Sequence, residues 1–254
     1  MKGKSVLIEV AKCIGCRGCQ VACKQWHELP AEKTINSGSY QNPPNLSAIT
    51  NTIIRFKEVE KEDEVKWNFF KDQCRHCVDP PCKYEADEVA KGAIEVNPNG
   101  AVLFTEKTKK LANEDVNAYC PYSIPQKCEK GGSWHKCDFC YDRVENGLQP
   151  ACVKACPAGA LTFGERDEIL ALAKKRFAEV KKDHPDATLL DEDDVRWIYL
   201  LHEKEEDFQM SLKNENARYY GLNRVLSPNN PAWIAAGSLA MLFKWRDKRV
   251  EKDS

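Results

Sequence analysis

The chain has 254 residues, with 38 basic and 39 acidic side chains and a formal net charge of -1. That length allows one large or two small cores, and the charge balance gives no electrostatic case for nucleic acid as a partner. All 13 cysteines fall between Cys13 and Cys156, and the offsets Cys13/Cys16, Cys74/Cys77 and Cys137/Cys140 suit a metal better than a disulfide framework, which belongs to much shorter secreted chains.

Taken in chain order, Met1–Val10 does not read as an export signal, because its apolar run is only Val6–Ile8 and Cys13 follows almost at once. Ser5–Val10 is expected to be a short strand leading into the first cysteine loop. Gln25–Ser47 is polar and rich in turn residues, with Pro30, Pro43 and Pro44, and reads as a long ordered loop. Thr52–Val59 and Glu64–Phe70 read as strands joined by the charged turn Glu60–Asp63. Ala93–Val96 and Ala101–Phe104 flank Asn97-Pro98-Asn99-Gly100, a hairpin signal. Arg166–Lys182 places Ile169, Leu170, Leu172, Ala173, Phe177 and Val180 at helical spacing. Val195–Leu201 is a buried-strand candidate, and Pro231–Phe243 is an uncharged run.

Four segments carry the cysteine pattern. They are Cys13-x2-Cys16-x2-Cys19-x3-Cys23, then Cys74-x2-Cys77-x4-Cys82, then Cys120-Pro121, then Cys137-x2-Cys140-x11-Cys152-x3-Cys156-Pro157. The first matches the bacterial ferredoxin run except that Lys24 replaces the terminal proline. In such a run three cysteines wrap one [4Fe-4S] cubane and the fourth serves the other cluster of a pair. Gly15 and Gly18 let the backbone fold around the inorganic core. Pairing the first and fourth segments gives two sites: Cys13, Cys16, Cys19 and Cys156 at one, and Cys137, Cys140, Cys152 and Cys23 at the other. Cys74, Cys77 and Cys82 with Cys120 complete a third. A fourth site would need ligands at Ala86, Lys110, Asn113 and Val116, none of which can supply a thiolate. Three [4Fe-4S] clusters are therefore expected, with Cys128 left over as a free or buried thiol. Cys137/Cys140 alone could open a zinc ribbon, but the four-cysteine run and two Cys-Pro endings favour iron–sulfur. His76, between two ligands, reads as a packing or N–H donor residue. Lys24, Arg75 and Lys154 lie next to ligands, where they would either raise nearby potentials or be solvated and paired.

These residues resemble the iron–sulfur β subunits of the molybdenum/tungsten-pterin oxidoreductases, the dimethyl sulfoxide reductase superfamily, and above all those of formate dehydrogenase. The likeness is carried by Cys19-Gln20-Val21-Ala22-Cys23-Lys24-Gln25-Trp26, by the loop from Gly38 to Ser47, by Cys74-Arg75-His76-Cys77, by Cys120–Pro125 and by Pro150–Pro157, and it covers roughly residues 5 to 205. The loop Tyr40–Ser47 is the pointer to formate dehydrogenase in particular.

The resemblance implies an α+β fold of two ferredoxin-like modules, one inserted in the other, with a C-terminal helical and extended tail. Residues 1–24 and 130–165 would form the two-cluster module. Residues 25–129 would hold the inserted loop, strands and a degenerate one-cluster module, and 166–254 the covering region and tail. It also implies a large catalytic α subunit with a molybdenum or tungsten pterin cofactor, and a non-catalytic role for this chain. Electrons from that subunit would pass through the three clusters to an acceptor, a cytochrome or a quinone-linked membrane subunit. The cluster at Cys74/Cys77/Cys82/Cys120 is expected at the outer end, because a relay cannot lose a middle link. Other readings are the iron–sulfur subunit of a polysulfide, dimethyl sulfoxide or tetrathionate enzyme, and a free-standing polyferredoxin. The long loop and the tail argue against the last. Export in the folded state with the α subunit, to the periplasm, is the expected localisation, with the cytoplasm as the alternative. Pro231–Phe243 as a helix would reach about 20 Å against ~30 Å for a bilayer core. It reads as docked on a partner or lying in the membrane interface, followed by the anchors Lys244, Arg246, Lys248 and Arg249; a true span is the alternative.

Overall fold

Val6, Leu7 and Ile8 form an unbroken apolar run, the signature of a strand covered on both faces. In the computed structural model, which describes residues 2–208 except 37, 62–63, 113–115, 118 and 130, they lie in strand β1 (Lys4–Glu9). β1 pairs in parallel with β10 (Trp197–Leu201) and antiparallel with β8 (Leu161–Glu165), and β9 (Thr188–Leu190) completes a sheet of order β8-β1-β10-β9. Because side chains alternate along a strand, the sheet divides its residues cleanly. Leu7, Ile198 and Leu200 pack with Ile169 and Ala173 of helix α5 (Arg166–Val180). Val6, Ile8, Trp197, Tyr199 and Leu201 face the other way, into the cluster that contains Cys19 and Cys152. Truncating Leu7 to Ala would cost about 2–5 kcal/mol on the helix side.

The buried Arg166 guanidinium opens α5 by donating to the Val195 carbonyl at 2.6 Å and the Glu192 carbonyl at 2.9 Å. It thereby anchors the segment entering β10. Helix α5 ends two residues before the sequence-based boundary, at Val180.

Two ten-residue strands, β2 (Thr52–Lys61) and β3 (Glu64–Gln73), form a long antiparallel hairpin. Both outrun their expected C-termini, and β3 runs on through Lys71 to the edge of the second cysteine segment. The hairpin docks on the sheet where Phe70 stacks on Tyr199, ring centroids 4.6 Å apart, and Tyr199 donates to the Lys71 carbonyl at 2.8 Å. A smaller hairpin, β4 (Ile94–Val96) with β5 (Val102–Phe104), turns at Asn97–Gly100 as its Asn-Pro-Asn-Gly sequence dictates. A third, β6 (Gln126–Lys127) with β7 (Trp134–His135), spans residues 128–133 and so contains Cys128.

The remaining helices carry cysteines or their neighbours: α1 (Gly18–Trp26), α2 (Pro81–Val89), α3 (Tyr141–Glu145) and α4 (Ala151–Lys154). Pro81 stands in the first turn of α2, where a missing N–H costs nothing. The region Gln25–Ser47 is irregular beyond the end of α1, as its prolines require. It is nonetheless tied down. Lys24 Nζ donates to the Ile49 and Pro30 carbonyls at 2.7 and 2.9 Å, and Gln41 Oε1 accepts the Phe56 N–H at 2.9 Å. Among the described residues no helix is long and apolar enough to cross a membrane. The run Pro231–Phe243 and the basic residues after it lie outside the described residues, as does Asn113.

Candidate metal centres

Three loops of the form Cys-x2-Cys turn sharply, and each does so through left-handed residues. Gly15 and Arg17 have φ of 65° and 59°, His76 has 48°, and Phe139 and Cys140 have 68° and 47°. Non-glycine residues in that region are uncommon and gather at sites that hold a ligand. The turns also aim N–H groups at sulfur. The Phe139 N–H lies 3.4 Å from Cys137 Sγ, the Gly15 N–H serves Cys13, and those of Ile124 and Tyr122 serve Cys120.

The thiols converge in three sets. Cys13 and Cys19 each lie within electrostatic reach of Cys16 and Cys156. Cys137 lies within reach of Cys23 and Cys140, and Cys152 within reach of Cys140 and Cys23. Cys77 is near Cys74, Cys82 and Cys120. Helix α1 explains how adjacent cysteines serve different sets. Cys19 and Cys23 are one turn apart on its buried face, so α1 bridges the first set and the second. Helix α4 and the turn after it do the same with Cys152 and Cys156, and α1 packs against α4. The second set adjoins the first, since Cys152 also feels Cys19. It adjoins the third through Lys136, whose ammonium donates to the Cys137 carbonyl at 3.0 Å and acts on both Cys82 and Cys120.

Seven of these sulfurs are poor thiolates by themselves. Burial pushes Cys19 and Cys120 up to about 11 and Cys152 up to about 12, and raises Cys13, Cys77, Cys82 and Cys137 as well. None of the 13 cysteines is in a disulfide. Clustered thiols of this kind, most of them buried or half-buried and served by backbone N–H groups, are unfavourable as anions unless a cation binds and displaces their protons. The donor set thus fits iron–sulfur clusters, with soft sulfur ligands at every corner.

Two of the four positions at which a fourth set would need ligands are buried in apolar packing. Ala86 and Val116, both fully buried, belong to one apolar cluster with Cys82, Leu111 and Trp134. Trp134 donates its indole N–H to the Leu111 carbonyl at 3.3 Å, while Lys110 is exposed.

His76 is buried and accepts the Val102 N–H at Nδ1, 2.9 Å away. Burial, with Lys136 and Arg196 nearby, holds its pKa well below the usual histidine value. It packs 5.0 Å from the Phe139 ring, in line with the packing alternative read from the sequence, and it accepts rather than donates at Nδ1. Lys24 is occupied by loop carbonyls, Lys154 is exposed, and Arg75 is buried over the Tyr122 ring at 3.9 Å with Asp191 as its ion partner at 3.1 Å. Two residues near the thiols had no signal in the sequence: His27, whose Nε2 lies 3.2 Å from Asp138 and 3.8 Å from Cys140 Sγ, and Lys71.

Residues 65–166 match the family model described as a 4Fe-4S dicluster domain. The chain is 51% identical over 210 residues to formate dehydrogenase 2 subunit beta (cytochrome c-553) of Nitratidesulfovibrio vulgaris, covering 81% of this chain and 96% of that one. The chain belongs to the formate dehydrogenase β-subunit family. Its likeness to the formate dehydrogenase subunit beta of Megalodesulfovibrio gigas is 48% over 199 residues, 78% of this chain and 93% of that one. With the formate dehydrogenase-O iron-sulfur subunit of Escherichia coli it is 40% over 200 residues, 77% of this chain and 66% of that one. As a formate dehydrogenase β subunit, the chain binds [4Fe-4S] clusters and transfers electrons within an oxidoreductase complex; it is not the catalytic subunit.

Proposed function

We propose that this chain holds three [4Fe-4S] clusters and conducts electrons from the pterin-metal α subunit of a formate dehydrogenase to a cytochrome. The observation that supports the count is the convergence of twelve thiols, all but the exposed Cys16 buried or half-buried, in three sets of four, with Ala86 and Val116 buried in apolar packing at two of the four positions a fourth set would need. Cys13, Cys16, Cys19 and Cys156 hold one cluster, Cys137, Cys140, Cys152 and Cys23 the second, and Cys74, Cys77, Cys82 and Cys120 the third. Such a cluster takes up and releases one electron with little change in geometry, at a potential set by nearby charge, hydrogen bonds and burial.

The chain's own residues supply those levers. Backbone N–H groups of Gly15, Phe139, Tyr122 and Ile124 point at sulfur and favour its charged form. All four thiols of the second set are buried. The second set lies between the other two, so the third stands at the outer end, toward the acceptor. The architecture is that of two nested modules: residues 1–24 and 130–165 hold two clusters, 25–129 hold one, and the described part of 166–254, up to Phe208, covers them. A cytochrome as acceptor is favoured by the cytochrome c-553 in the name of the Nitratidesulfovibrio relative. Folded export to the periplasm with the α subunit fits cluster assembly before transport.

Formate added anaerobically to the purified complex should reduce these centres, seen as cubane signals by electron paramagnetic resonance, and a c-type cytochrome should then reoxidise them. Centres that stay oxidised under formate would overturn the relay. Reoxidation by a quinone-linked subunit and not by cytochrome would replace the acceptor.

A further inference from the structure

Lys71 is 3% exposed, yet its ammonium has no carboxylate partner among the described residues. It donates to Thr52 Oγ1 at 2.7 Å and to Gln73 Oε1, and stands 5.0 Å from the centre of the Trp197 ring. A buried cation without a counter-charge is strongly unfavourable. The groups able to balance it are sulfurs: Cys19 from the first set, and Cys152, Cys137 and Cys23 from the second. The action is mutual, because Lys71 favours the ionised form of Cys13, Cys19, Cys137 and Cys152. The residue sits on β3, pinned by the hairpin register Ile54↔Lys71. Its position is therefore a property of the fold and not of a mobile surface chain.

We propose that Lys71 is the shared counter-charge of the first and second thiol sets and raises the reduction potentials of both. This rests on the iron–sulfur reading of those two sets. An added electron makes a thiolate-ligated cluster more negative, and a fixed ammonium beside it in a dry environment stabilises that reduced form more than the oxidised one. The electron enters from formate oxidation in the partner subunit, which yields two electrons and one proton, and leaves to the acceptor. Lys71 exchanges no proton. One cation serving two sets shifts them together, so neither becomes a trap for the electron relative to the other.

The test compares the intact complex carrying Lys71→Met, Lys71→Gln and Lys71→Arg with the parent, by iron content and by redox titration followed with electron paramagnetic resonance. The Met and Gln chains should keep parental iron, and two of the three centres should become at least tenfold harder to reduce, a shift of 59 mV for one electron. The third centre should stay in place, and Lys71→Arg should stay near the parent. Full iron with unmoved potentials overturns the proposal alone. If the two neutral variants lose iron from those sets while Lys71→Arg retains it, the charge requirement is seen in assembly and the proposal stands. If all three variants lose it, the side chain's shape rather than its charge is at work and the proposal falls. A parent complex whose β chain gives no [4Fe-4S] signals overturns the underlying reading instead.

Discussion

Ala86 and Val116 are both fully buried in one apolar cluster, at positions where a fourth set of thiols would need ligands. Leu111 and Trp134 belong to the same cluster. The double variant Ala86→Cys, Val116→Cys should therefore gain no cluster, and its iron content should match the parent. Trp134→Ala should destabilise this region by about 3–5 kcal/mol, measured by denaturant unfolding of the complex.

Gly15 has φ of +65°, and an added Cβ would lie 2.5 Å from the Phe69 ring. Gly15→Ala should cost about 1–2 kcal/mol in left-handed strain alone, with the ring clash in addition. The expected outcome is selective loss of the first set's iron. Pairing it with Phe69→Leu should restore part of that iron.

Cys128 lies in the loop between β6 and β7, and the sequence pattern leaves it outside the three sets. Cys128→Ser should keep the parental iron, while Cys156→Ala should lose one cluster, about four iron atoms. Iron loss in Cys128→Ser would assign that thiol a ligand's role.

Glu32 ties the long loop together by accepting from Ser47 and from Thr50, the latter at 2.6 Å. Partial burial raises its pKa, but these hydrogen bonds and the Lys24 charge outweigh it and hold the carboxyl below its usual range. A depressed folded-state pKa contributes stability above the unfolded value, about 4.3, and loses it as pH falls through the folded value. Protection of backbone amides in residues 32–50 against hydrogen exchange should fall as pH drops below about 4. Glu32→Gln should flatten that dependence.

Much of the fold was legible because the signals are local. The run Val6–Ile8 marks a two-faced strand, Asn97–Gly100 a turn, and Ile169 to Val180 an amphipathic helix, and each element lies where expected to within a few residues. Helix α2 was not expected from the sequence, although Pro81 marks its first turn. Lys71 was invisible for a physical reason. A lysine in a strand normally points to water, and only the packing of β3 on Trp197 and the cysteine helices buries this one. The lysine and arginine residues beside ligands in sequence follow the paired or solvated alternative, with Arg75 on Asp191 and Lys154 exposed, although Arg75 also favours the ionised form of Cys77. Adjacency along the chain does not aim a side chain, and Lys24 reaches for Ile49.

The count of clusters is tested most directly by native mass spectrometry of the complex under anaerobic conditions, with the β chain released intact. The account predicts a β chain carrying three [4Fe-4S] units, about twelve iron and twelve sulfide. A chain carrying two units, or four, would contradict it.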